Sequence, residues 1–135
     1  MYNNVQYKES FMPLNVLIVE NESIVALDIK QRLKLIGYNV IDVVSSGENA
    51  LNVIKKHVID LIIMDAHLDG TLNGIDTAIC IRKKFNMPIL YISASFNLER
   101  HIKIKLTEPY EHIKKPFDNE QLQTAINNCL NKTKY

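Results

Sequence analysis

The chain has 135 residues, 47% hydrophobic and 23% charged, which is the profile of one globular domain with a sizeable core rather than of a disordered or fibrous protein. Its 16 basic and 15 acidic residues nearly cancel, so net charge gives no reason to expect direct binding to nucleic acid or to a membrane surface. No apolar run is long enough to cross a bilayer, and the first residues lack the features of a signal peptide. Cys80 and Cys129 lack the spacing of a metal site. We therefore expect a cytoplasmic protein with reduced thiols.

Short apolar runs alternate with helical patterns along the chain. Runs rich in β-branched residues predict five strands, at residues 15–19, 40–44, 60–64, 88–92 and 111–114. Apolar residues at helical spacing predict five helices, at about residues 23–36, 45–56, 75–85, 97–106 and 118–130. Gly37 is the expected C-cap of the first helix. Capping-box patterns begin the second helix, at Ser45 and Glu48, and the fifth, at Asp118 and Gln121.

This alternation predicts the α/β class, with a doubly wound, five-stranded parallel sheet and five helices in a single domain. The domain is expected to span residues 14–131, between a polar N-terminal lead-in at 1–13 and a tail or linker stub at 132–135. In sheets of this kind, ligands bind outside the carboxyl ends of the strands. The residues at those ends are therefore the candidates for a functional site.

Polar and charged side chains stand at four of the predicted strand ends. Glu20 and Asn21 follow the first strand, and Asp65 ends the third. Ser93 follows the fourth strand and Lys115 the fifth. Oxygen-rich side chains together with one ammonium suit a hard cation and a phosphoryl group. A carboxylate such as Asp65 can attack phosphorus and form an acyl phosphate.

Four segments carry a resemblance to a known family. They are VLIVEN at residues 16–21, LIIMD at 61–65, ILYISA at 89–94 and KPF at 115–117. In this order and at these strand ends, they resemble the receiver domain of response regulators, the CheY-like family of two-component signalling, over roughly residues 14–131. The resemblance implies a flavodoxin-like sheet with the strand order 2-1-3-4-5. It also implies a phosphoacceptor in a phosphorelay rather than an enzyme, although one that assists its own phosphotransfer and dephosphorylation.

The resemblance assigns roles to the acidic residues at the strand ends. Asp65 would receive the phosphoryl group from a phosphohistidine of a sensor histidine kinase or a phosphotransfer protein. Mg²⁺ would be bound by Glu20, Asn21, Asp65 and the backbone carbonyl of His67. The metal and the phosphoacceptor would thus share one set of oxygen atoms.

Ser93 and Lys115 would respond to the phosphoryl group. In the family, a hydroxyl at the position of Ser93 moves towards the phosphoryl group, and a lysine at the position of Lys115 pairs with its oxygens. The bond between Lys115 and Pro116 is expected to be cis. The movement would alter the face formed by the fourth helix, fifth strand and fifth helix, which is a candidate for homodimerisation or partner docking.

Two residues depart from the family's pattern. Asn21 stands where a second acidic residue is usual, and its amide oxygen can ligate a metal but brings no charge. We therefore expect Mg²⁺ binding to be weaker by about 1–3 kcal/mol, the scale of one partly screened charge contact. His112, three residues before Lys115, stands where Tyr or Phe is usual, and it is a second candidate switch residue beside Ser93.

Other functions remain open for this pattern. With Asn21 weakening the metal site, the chain could be a pseudo-receiver, an interaction module that works without phosphorylation. A flavodoxin-like binder of a small ligand has the same architecture, although Asp65 and Lys115 argue against it. Glu22 is interpreted as stabilising a helix N-terminus through the helix dipole rather than as a site residue.

Overall fold

In a computed structural model, the described residues are 13–68, 70, 72–95 and 102–132. They form five strands: β1 (Asn15–Val19), β2 (Asn39–Val44), β3 (Leu61–Asp65), β4 (Ile89–Ser93) and β5 (Tyr110–Lys114). The same residues form the helices α1 (Ser23–Ile36), α2 (Gly47–Lys56), α3 (Gly74–Arg82) and α4 (Asn119–Asn131), with a 3-10 helix, η1 (Ile102–Thr107), before β5. Apart from Pro13, the predicted lead-in lies outside the described residues, as do residues 133–135 of the predicted tail.

All neighbouring strands pair in parallel, in the order β2-β1-β3-β4-β5. This confirms the predicted fold class and strand order, and the strand boundaries differ from the predicted ones by at most one residue. The central strands β1, β3 and β4 are almost entirely buried, whereas the edge strands β2 and β5 are partly exposed. The central strands are unbroken apolar runs in the sequence because both of their faces are covered.

Side chains alternate between the two faces of the sheet, and each face has its own apolar core. The first core joins the sheet to α2, α3 and η1 through Ala50, Ile54, Ala78, Ile81 and Ile104. The second core joins it to α1 and α4 through Ile29, Leu33, Leu122 and Ile126. Within the described parts of the chain, no helix has the length and apolar character needed to cross a membrane.

Local sequence signals explain most of the helix ends. Gly37 ends α1 with a φ of 113°, in the left-handed region that glycine enters without steric cost. The capping box predicted before α4 is confirmed, because Asp118 and Gln121 each accept a hydrogen bond from the other's backbone N–H. The N-cap of α2 is Ser46 rather than the predicted Ser45, and α2 therefore begins one residue later.

The fourth predicted helix is corrected. Residues 102–107 form the 3-10 helix η1 instead of an α-helix, and residues 97–101 of the prediction lie outside the described residues. The buried Thr107 hydroxyl explains the tighter turn, since it donates to the carbonyl of Ile104 at 2.7 Å and accepts from the Tyr91 hydroxyl at 2.8 Å. The Arg82 guanidinium then ends η1 by donating to the carbonyls of Thr107 and of the two residues after it.

Gly74 begins α3 directly against the end of β3. Its N–H donates to the carbonyl of Ala66 at 3.3 Å. A Cβ atom at this position would overlap the backbone carbonyl of Asp65. Glycine is the residue that allows a helix to start so close to a strand. The contact fixes the backbone from which the Asp65 side chain projects.

We predict that Gly74→Ala lowers the free energy of unfolding by about 1–3 kcal/mol, because the added methyl group forces α3 and the end of β3 apart. Urea denaturation monitored by circular dichroism measures this loss. Lys55→Ala, an exposed substitution on α2, is the control and should change stability by less than about 0.5 kcal/mol. Equal stability of Gly74→Ala and the wild type would contradict the close approach.

Candidate functional site

Three charged side chains meet where β1, β3 and β5 end. The Nζ atom of Lys115 lies 2.9 Å from Oε1 of Glu20 and 3.9 Å from Oδ2 of Asp65. The Glu20 side chain is fully buried, that of Asp65 is 4% exposed, and that of Lys115 is 19% exposed. The parallel sheet therefore brings these residues, far apart in sequence, into one cluster with little access to water.

Backbone hydrogen bonds orient the two carboxylates. Oε2 of Glu20 accepts the N–H of Glu22, and Oδ1 of Asp65 accepts the N–H of His67, each at 2.9 Å. Each carboxylate thus has one oxygen held by the chain just beyond its own strand and the other oxygen on the side of Lys115. Groups held in this way lose little freedom when they act on a ligand.

The Asp65 carboxyl is harder to ionise than an ordinary aspartate. Burial is the main cause and, with the adjacent Glu20 carboxylate, raises the pKa of Asp65 to about 7, although the His67 N–H and the Lys115 charge act in the opposite direction. Two carboxylates sharing one ammonium leave an excess of negative charge. A divalent cation beside both carboxylates would balance that charge and favour the ionised form of Asp65.

The chain after β5 places Lys115. Its N–H donates to the carbonyl of Ser93 at 2.7 Å, which extends the pairing of β4 and β5 by one residue. The peptide bond between Lys115 and Pro116 is cis, as the resemblance implies. The exposed Glu22 carboxylate also lies 3.9 Å from Lys115 Nζ, so the ammonium group faces three carboxylates.

The Ser93 hydroxyl lies beside this cluster but is bonded elsewhere. The residue is 2% exposed. Its hydroxyl donates to the carbonyl of Ser95 at 2.7 Å and accepts the N–H of Ser95 at 3.1 Å. The third contact, at 3.4 Å, is with Nε2 of His67. Among the described residues, none of the hydrogen bonds of this hydroxyl is to Asp65 or Lys115.

The donor atoms at this edge suit Mg²⁺. In the part of the chain that the structure describes, no three side chains of His, Cys, Asp or Glu converge as a metal site. Of the four predicted oxygen donors, the structure brings the Glu20 and Asp65 carboxylates together beside Lys115. Mg²⁺ retains several water ligands and needs only one or two carboxylates from a protein. These two carboxylates therefore fit a magnesium ion.

His112, the second candidate switch residue, lies within β5 and pairs in register with Tyr91 of β4. It is half-buried, and its N–H donates to the Glu111 carboxylate at 3.1 Å. Alternation along β5 puts His112 on the same face of the sheet as Tyr110, which packs against the core beneath η1. His112 is therefore placed towards η1 rather than in the charged cluster.

Two parts of the site are absent from the predictions. Glu22 is the N-cap residue of α1, but its side chain makes no capping hydrogen bond and lies near Lys115. His67 entered the prediction only through its carbonyl, yet its ring contacts Ser93. The position of Glu22, two residues after Glu20, is a signal in the sequence that could have linked Glu22 to the site. The contact between His67 and Ser93 could be found only once the fold was known.

The chain matches the response regulator receiver domain family over residues 16–127. Among its relatives, the transcriptional regulatory protein MalR of Bacillus subtilis is 32% identical over 123 residues, which are 90% of this chain and 52% of MalR. The transcriptional regulatory protein PdtaR of Mycobacterium tuberculosis is 28% identical over 118 residues, which are 87% of this chain and 57% of PdtaR. This chain spans about half the length of these relatives.

Solved structures give the same result. The signal receiver domain of a modulated diguanylate cyclase from Desulfovibrio desulfuricans G20 has a TM-score of 0.80 and 29% identity, over 90% of this chain and 96% of that one. The receiver domain of PhyR from Erythrobacter litoralis, 24% identical, shares the fold with a TM-score of 0.79, over 93% of this chain and 96% of that one. With its sheet order and a family match over most of its length, the chain belongs to the response regulator receiver domain family.

Proposed function

We propose that this chain is a phosphoacceptor that takes a phosphoryl group from a phosphohistidine onto Asp65. The observation that carries the proposal is the Lys115 ammonium, held 2.9 Å from Glu20 and 3.9 Å from Asp65 in a nearly buried cluster. A carboxylate and a phosphoryl group repel each other unless cations neutralise their charge. Lys115 is such a cation, and Glu20 fixes its position.

In the proposed transfer, an oxygen of Asp65 forms a bond to phosphorus while the bond from phosphorus to the donor imidazole nitrogen breaks. The electron pair of the broken bond leaves with the imidazole, and an acyl phosphate remains on Asp65. Oδ1 is held by the His67 N–H, so we assign Oδ2, on the side of Lys115, as the nucleophile. The transferred group would then lie beside the Lys115 ammonium.

We also propose that Glu20, Asn21, Asp65 and the His67 carbonyl hold Mg²⁺, weakly because Asn21 brings no charge. The excess negative charge of Glu20 and Asp65 supports this proposal, as does the raised pKa of Asp65. The ion would supply positive charge to the phosphoryl oxygens. A pseudo-receiver that works without phosphorylation is the competing function, and Asn21 is the residue that favours it.

The phosphorylated state is proposed to act through the face formed by η1, β5 and α4. Ser93 would move towards the phosphoryl group, and His112, on the face of the sheet that carries η1, would respond. Ile102 and Leu106 of η1 are 88% and 66% exposed, which favours homodimerisation or partner docking there. The proposed donor is a sensor histidine kinase or a phosphotransfer protein in the cytoplasm.

We predict that Mg²⁺ and acetyl phosphate add one phosphoryl group to the wild type and none to Asp65→Asn, as read from the intact mass. Asp42→Asn, which removes an exposed carboxylate from β2, is the matched control and should react like the wild type. The added group should be labile to hydroxylamine, as acyl phosphates are. Absence of the added mass at saturating Mg²⁺ would favour the pseudo-receiver.

Sedimentation of the same samples tests the proposed homodimer.

Asn21→Asp is expected to strengthen Mg²⁺ binding by about 1–3 kcal/mol, or roughly 5- to 150-fold, because it adds a charge beside the ion. The chain contains no Trp, so calorimetric titration is a suitable measurement. Asn86→Asp adds the same charge at an exposed position before β4, at the opposite end of the sheet, and should leave the affinity nearly unchanged. An unchanged affinity in Asn21→Asp would show that this position does not limit metal binding.

The raised pKa of Asp65 predicts a pH-dependent stability without Mg²⁺. Between about pH 4 and pH 7, the folded chain binds the Asp65 proton more tightly than the unfolded chain, so its stability falls as pH rises. Asp65→Asn removes this loss and should be more stable than the wild type by about 1–3 kcal/mol at pH 8, with a smaller difference at pH 5. Urea denaturation at both pH values measures it. Parallel stability curves for the two proteins would refute the prediction, whereas Asp42→Asn should follow the wild type.

A further inference from the structure

We propose that the His67 side chain holds the Ser93 hydroxyl in its resting orientation and thereby sets how readily the site switches. This inference rests on the proposed phosphoacceptor function and gives a role to the ring of His67, not to its backbone. His67, two residues after β3, is an exposed residue, whereas Ser93 is buried at the end of β4. The contact between His67 and Ser93 therefore links the end of β3, which carries Asp65, to the end of β4.

The hydrogen bonds of Ser93 define what the ring does. A hydroxyl has one proton to donate and two lone pairs that accept. The Ser93 proton goes to the Ser95 carbonyl, and one lone pair accepts the Ser95 N–H. The remaining lone pair can accept from Nε2 of His67, which lies 3.4 Å from the hydroxyl oxygen, and in the proposed arrangement this nitrogen carries the proton that it donates. His67 therefore completes the hydrogen bonding of the resting hydroxyl.

The same residue also contacts the acceptor. The His67 N–H donates to Oδ1 of Asp65, so the backbone of His67 holds the acceptor while its ring holds the switch. For Ser93 to turn towards a phosphoryl group on Asp65, the hydroxyl must give up its bonds to Ser95 and to the ring. The phosphoryl oxygens must compensate for all three bonds. Without the ring, only the two bonds to Ser95 have to be broken.

Beryllofluoride, which mimics a phosphoryl group on aspartate, measures this balance in the presence of Mg²⁺. His67→Ala is expected to bind it about two- to fivefold more tightly than the wild type, the effect of losing one weak hydrogen bond in the resting state. His67→Gln retains an N–H donor and should restore an affinity near that of the wild type. A merely structural role of the ring would not produce this rescue. Calorimetry or amide chemical shifts give the affinities.

A second substitution tests whether His67 acts through Ser93. In a Ser93→Ala background, where no hydroxyl remains to be held, His67→Ala should change beryllofluoride affinity by less than about 1.5-fold. An equal gain with and without Ser93 would overturn the inference, because the ring would then act on the ligand or metal directly.

The unliganded protein provides a readout that does not depend on phosphorylation. The side-chain couplings of Ser93 in nuclear magnetic resonance spectra report its rotamer populations. In His67→Ala, Ser93 should populate more than one rotamer, whereas the wild type and His67→Gln should favour a single rotamer. Failure of the wild type to bind beryllofluoride would contradict the phosphoacceptor function and, with it, the switch. Normal binding in the wild type together with no effect of His67→Ala on affinity or rotamers would contradict this inference alone.

Discussion

The site depends on one ammonium group that is shared by two buried carboxylates. Removing carboxylates from water is costly, and a single buried carboxylate without a partner would be neutralised or would destabilise the fold. Lys115 partly offsets that cost for Glu20, with which it is in contact, and less so for Asp65, which is 3.9 Å away. The incomplete compensation leaves Asp65 difficult to ionise without a further cation. The burial that prepares Asp65 for a cation therefore also lowers the stability of the folded chain.

The backbone around the charged cluster keeps it in place. A glycine lets α3 begin against the end of β3, and the N–H groups of Glu22 and His67 hold one oxygen of each carboxylate. After β5, the N–H of Lys115 donates to the carbonyl of Ser93 and so ties the residue that reaches the cluster to the end of β4. These contacts come from loops at the strand ends, while two apolar cores hold the strands themselves in register. The sheet and the loops at its strand ends thus position the charged cluster together.

Sequence patterns were sufficient to predict the sheet, because strands buried on both faces leave unbroken apolar runs and four of the five strand ends carry a distinctive polar residue. They also predicted which residues meet, since Glu20, Asp65 and Lys115 stand at ends that the topology makes adjacent. They failed at η1, where the hydroxyl of Thr107 bonds within the turn and Thr107 is itself held by Tyr91 and Arg82, which lie far away in the chain. The sequence also did not predict the contact between His67 and Ser93, because no local pattern links two side chains that lie 26 residues apart.

The hydrogen bonds that Arg82 and Tyr91 make at the end of η1 affect how this helix can move. Arg82 holds the carbonyls that follow the 3-10 helix, and Tyr91 holds the Thr107 hydroxyl from beneath, so the C-terminal end of η1 is fixed to both α3 and β4. Because these hydrogen bonds hold only the C-terminal end of η1, we expect any displacement of η1 to be smallest at Thr107 and larger at the exposed Ile102 than at Leu106.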